Sequence, residues 1–140
     1  MIKSQGQPVT EKYLQNKTAT YDDAISFYKQ LDARYPNAKL LQYGNTDIGK
    51  PLHVFVITND GDFIPESIRK KNKRILLINN GIHPGEPCGI DACISFSADV
   101  LADKNLKQLL QHVVVAIIPV YNIDGSLNRS CCSRANQNGP

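Results

Sequence analysis

With 140 residues, 41% of them hydrophobic and 21% charged, the chain has the make-up of one globular domain or part of one, which excludes disordered, collagen-like and coiled-coil classes. Its net charge of +3 comes from one run, Arg69, Lys70, Lys71, Lys73 and Arg74, and the rest of the chain is slightly acidic. No nucleic-acid motif accompanies that run, so it reads as a solvated loop that also discourages edge pairing, with no nucleic-acid partner expected. No apolar stretch approaches the roughly 20 residues that span a bilayer, and the opening MIKSQGQPVT lacks the apolar core of a signal peptide.

In chain order, residues 1–19 are polar, and Val9, Tyr13 and Leu14 allow at most a short helix. Thr20 and Asp23 form a capping-box pattern, after which Ile25, Tyr28, Leu31 and Tyr35 share one helical face until Pro36 stops the run. Residues 40–43 and 52–58 read as strands joined by the turn-rich GNTDIGK. RILLINN (74–80) and HVVVAIIPV (112–120) are near-continuous apolar runs, expected to be strands buried on both faces. Between them, Pro87 opens a helix whose Ile90, Cys93, Ile94, Ser97, Val100 and Leu101 keep helical spacing while Phe96 falls off that face. Strand, helix and strand in this order predict a parallel crossover unit and an α/β fold.

In such a sheet, ligands collect beyond the carboxyl ends of the strands. The first buried run leads into NNGIHPGEP, where His83 and Glu86 lie three residues apart across a Pro-Gly bend. Imidazole and carboxylate converging on one point are zinc-ligand chemistry, and the adjacent helix N-terminus favours an ionised Glu86. The second run leads into a polar segment carrying Arg129 and Arg134, fixed cations able to steady an oxyanion or bind a carboxylate. His53 and His112 read as surface or strand-end imidazoles, and Asp91 and Asp99 as solvated helix positions. Cys88, Cys93, Cys131 and Cys132 lack zinc-knuckle spacing and read as buried free thiols, with a bridge from Cys88 to Cys131 or Cys132 left open. Neither a nucleophile elbow nor a phosphate loop is present.

GIHPGEP, followed by IPVYNIDG and then SRANQNGP, resembles the amino-terminal part of the zinc metallocarboxypeptidases, and GNTDIGKPLHVFVI resembles the hairpin before their zinc loop. The resemblance covers roughly residues 20–140. It implies an α/β/α sandwich around a mixed sheet, Zn2+ held by His83 and Glu86, Arg134 polarising the scissile carbonyl, and a peptide or protein C-terminus as substrate. It also implies a secreted or periplasmic location. Gly85 replaces an Arg that many digestive members carry as a substrate contact, and Ile123 replaces the usual Pro of the Asn-Pro-Asp-Gly turn. Residues 1–140 are expected to be the amino-terminal portion of the catalytic domain, because no family Asn-Arg clamp, third ligand His, capping Tyr or general-base Glu follows. That portion alone is expected to be inactive and to self-associate. A related zinc deacylase or cell-wall amidase, or a non-catalytic peptide-binding module, are the alternative readings.

Overall fold

The computed structural model describes residues 17–129. The first helix, α1 (Tyr21–Arg34), is capped by Thr20, whose side chain accepts from the Asp23 amide while the Asp23 carboxylate accepts from the Thr20 amide. Its Tyr21, Ala24, Ile25, Phe27, Tyr28 and Leu31 are buried, the stripe expected from their spacing. Strands β1 (Ala38–Asn45) and β2 (Pro51–Ile57) form an antiparallel hairpin. A short helix α2 (Pro65–Lys70) precedes β3 (Arg74–Asn79), and α3 (Cys88–Ala102) crosses over to β4 (Val113–Ile118) by way of α4 (Lys104–Gln108) and a 3-10 turn. The last helix described is α5 (Ile123–Leu127).

The four strands lie in the order β1-β2-β4-β3, with β3 and β4 parallel and the other pairs antiparallel. The sheet is therefore mixed, with the expected parallel unit. The six residues predicted to form the inner face of α3 are the six that are buried, and Phe96 is exposed. Together with α1, β2 and β4 they make the main core, while Val56, Ile68 and Val114 form a smaller cluster under α2 on the opposite face. Among the described residues no helix is long and apolar enough to cross a membrane.

Three expectations are corrected. Strand β3 is not buried on both faces: Ile75, Leu76 and Leu77 are each half-exposed because β3 is the outer strand of the sheet among the described residues. The basic run is not simply a solvated loop. Arg69 and Lys70 end α2, Lys71 pairs with Asp60 and Asp62, and the largely buried Lys73 pairs with Asp60 at 2.8 Å. His53 is not a surface residue, since it faces the α1 side of β2 in step with Phe55 and Ile57 and is buried. His112 is exposed as expected, whereas the reading of residues 9–14 lies outside the described residues.

Candidate active site

The metal-type loop leaves the carboxyl end of β3. Backbone pairing continues past the strands: the Asn80 amide donates to the Ile118 carbonyl, the Tyr121 amide to the Asn80 carbonyl at 2.7 Å, and the Asn122 amide to the Gly81 carbonyl. The loop is thus zipped to the segment that follows β4. Gly81 adopts φ +62, where a β-carbon would also meet Val120 and Ile90 at 3.2 and 3.3 Å. Beneath it, the buried Asn80 accepts from the Cys93 thiol, while its amide nitrogen has no hydrogen-bond partner among the described residues.

His83 and Glu86 come together as expected, with Nδ1 of the imidazole 2.9 Å from Oε2 of the carboxylate and both side chains partly exposed. The Glu86 amide donates to the His83 carbonyl, which closes the bend between them. Helix α3 begins at Cys88 with Pro87 as its N-cap, one position earlier than the first-turn place expected for this proline. A nitrogen and an oxygen donor fit two of the three protein positions of a catalytic zinc. Among the described residues no group of three His, Cys, Asp or Glu side chains gathers around a point.

The second motif packs directly on the first. A β-carbon on Gly125 would lie 2.5 Å from Cγ of the buried Pro84 and 2.8 Å from Oδ1 of Asn122, so only glycine permits this approach. Asn122 caps α5 by accepting from the Gly125 amide, and Ile123, at the first helical position where the family carries Pro, is buried in the core. Asp124 Oδ1 is buried beside this contact without a hydrogen-bond partner among the described residues.

Arg129 is committed elsewhere. Its guanidinium donates to the carbonyls of Ala19 and Thr18 and to the Thr18 hydroxyl, and the Asp91 carboxylate accepts from the Ala19 amide. Asp91 is therefore not a plain solvated position. Burial raises its pKa, against the pull of the Ala19 amide and Arg129. Asp99 is exposed as expected. Cys93 is a buried free thiol, but Cys88 is exposed, and Cys131, Cys132 and Arg134 lie outside the described residues. Spacing had flagged His83 and Glu86; it had not flagged Asn80, the Pro84–Gly125 contact or the Arg129 clasp, whose partners are remote in sequence.

A sequence model described as zinc carboxypeptidase matches residues 24–136. A search of curated proteins finds no significant match. Among solved structures, bovine thrombin-activatable fibrinolysis inhibitor in complex with tick carboxypeptidase inhibitor is similar, with 23% identity and a TM-score of 0.67 over 83% of this chain and 36% of that one. Carboxypeptidase A from Helicoverpa armigera gives 18% and 0.68 over 80% and 26%, and a metallo-carboxypeptidase from Burkholderia cenocepacia gives 20% and 0.61 over 77% and 28%. At these identities the likeness is one of fold. The chain spans only 26% to 36% of the length of these three structures.

Proposed function

The chain belongs to the zinc carboxypeptidase family, and from that premise we propose that it is the amino-terminal part of a zinc-dependent peptidase that removes residues from peptide C-termini. The observation that carries this reading is the convergence of His83 Nδ1 and Glu86 Oε2 at 2.9 Å on the loop between a parallel strand and its crossover helix, inside the family match. In this reading His83 and Glu86 hold the ion. Zinc, when bound, polarises the scissile carbonyl and lowers the pKa of its water. The protein's own work is to keep the two ligands converged, through the backbone pairs to the segment after β4 and the Pro84–Gly125 contact. Arg134 supplies the fixed positive charge for the developing oxyanion, while Arg129 holds Thr18 and Ala19 just before α1. The third ligand and the general base come from a longer polypeptide. Half-exposed Ile75, Leu76 and Leu77 support that part of the reading, since such a strand suits a layer on each face.

The test is zinc titration and C-terminal hydrolysis with a longer protein containing this chain. His83→Ala and Glu86→Ala should each remove most bound zinc and nearly all hydrolysis with the fold retained, and full zinc occupancy in both would overturn the assignment. The 140 residues alone should bind zinc weakly and hydrolyse nothing. Nanomolar zinc affinity together with turnover in this chain by itself would show that the site is complete without further ligands.

A further inference from the structure

Apart from the metal loop, α1 and the β1–β2 hairpin enclose an open cleft of about 480 Å³, with Tyr21, Ile25, Lys29, Leu40, Lys50 and His53 in its walls. The register that pairs Phe55 with Ile117 and Val56 with Ala116 continues to place His53 level with Pro119, at the sheet end from which both motif loops leave. His53 is only 7% exposed, and its Nδ1 is buried without a hydrogen-bond partner among the described residues. Burial, and then the charge of Lys29, lower its pKa against the pull of the Pro51 carbonyl, so the positive charge of the cleft comes from the lysines.

The aromatic wall is fixed, because the Tyr21 hydroxyl donates to the Pro51 carbonyl at 2.6 Å. Lys50 Nζ lies 6.0 Å from the centroid of that ring. Neither Lys29 nor Lys50 has an ion-pair partner among the described residues. Two carboxylates also face the cleft. Asp32 is engaged by the Leu40 amide at 3.0 Å and by Lys39 at 3.3 Å, which leaves Asp22 as the opposing charge and the cations in excess.

We propose that this cleft is a carboxylate-binding site, the anion held between Lys29 and Lys50 above His53 and its carbon skeleton resting on Tyr21, Ile25 and Leu40. The carboxylate belongs either to a small free acid or to an acidic side chain of a polypeptide. The site is independent of the zinc assignment, and its test uses neither metal nor hydrolysis.

The experiment follows side-chain NMR signals of the 140-residue chain titrated with glutarate and, separately, with the blocked dipeptide acetyl-Glu-Glu-amide. Exposed lysine–carboxylate contacts are individually weak, so a dissociation constant of about 10 mM or weaker is expected. The His53 and Lys50 signals should shift, the exposed His112 should not, and the His53 pKa should rise because the bound anion offsets the field of Lys29. A lower dissociation constant for the dipeptide assigns the polypeptide source and a lower one for glutarate the free acid. The Lys29→Gln, Lys50→Gln double variant should lose about tenfold or more in affinity with its spectrum otherwise preserved, and Asp22→Asn should bind more tightly than the parent. Absence of saturable shifts with both probes, equal affinity in the double variant, or preferential binding of a cationic probe such as lysinamide would overturn the proposal.

Discussion

Strands β3 and β4 lie side by side in parallel register and are both apolar, yet their burial is opposite. Val114, Val115 and Ile117 of β4 are 1%, 2% and 0% exposed, against 51%, 50% and 59% for Ile75, Leu76 and Leu77 of β3. Position in the sheet makes the difference: among the described residues β4 runs between β2 and β3 with a cluster on each face, whereas β3 has a neighbour on one side. An apolar run sets how much a strand is able to bury, and the sheet order sets how much it does. Strand β3 is instead held by its backbone. The Arg74 amide donates to the His112 carbonyl and Lys73 pairs with Asp60 at one end, and Tyr121 bonds to Asn80 at the other. The loop carrying His83 and Glu86 therefore rides on a strand located by hydrogen bonds, while the segment after β4 rides on one located by burial.

The largest expected effect separates the two strands directly. Ile117→Ala removes a fully buried side chain from the centre of the core and should cost about 3 kcal/mol. Leu77→Ala should cost less than about 1 kcal/mol, because more than half of that side chain already meets water. Urea unfolding of the two variants makes the comparison, and equal losses would show that β3 is covered in solution. A self-associating chain would cover it in that way. Leu77→Lys should then shift the sedimentation profile toward monomer and lower the unfolding midpoint with it.

Next in size is the contrast between the two arginines that follow β4. In a longer protein containing this chain, Arg134→Ala should lower turnover by about 100-fold with zinc content unchanged, as expected of a group that acts mainly in the transition state. Arg129→Ala removes three hydrogen bonds that hold Thr18 and Ala19, so its loss should be one of stability, about 1.5–3 kcal/mol, with turnover of the folded protein nearly intact. Steady-state kinetics beside urea unfolding would detect the reverse ranking and so a wrong choice of arginine.

What was legible in the sequence was local. The capping box at Thr20 and the buried set of α3 follow from spacing within one helix, and His83 and Glu86 from spacing within one loop after a strand. What was not legible depended on partners far along the chain. Exposure of β3 follows from a sheet order that its own residues do not encode. Burial of His53 follows from the packing of α1 over β2, and the need for glycine at 125 from a proline some forty residues earlier. Arg129 reads in the sequence as a candidate oxyanion or carboxylate cation beside Arg134, because its partners, Thr18 and Ala19, lie at the other end of the described chain.

The smallest effect concerns the ion pairs that fix the start of β3, and it is read from pH. Lys73, then Lys71, hold the Asp60 carboxyl far below its ordinary 3.8. Lys71, the Ser67 hydroxyl and the Ile64 amide lower Asp62 to about 2. In both cases the unfolded chain takes up the proton first on acidification, so stability rises with pH across the interval between the two values. The contribution is complete above 3.8 and is lost as pH falls through about 2 for Asp62 and lower still for Asp60. Because the groups are solvent-accessible, salt should reduce the effect. Hydrogen exchange provides the local readout. Between pH 4 and pH 2.5 the amides of Leu76 and Ile78, which point toward β4, should lose protection relative to those of 114–117, and Asp60→Asn with Asp62→Asn should remove most of that difference. Parallel loss of protection in both strands would mean that β3 opens only when the whole sheet does, and that its anchoring does not depend on these charges.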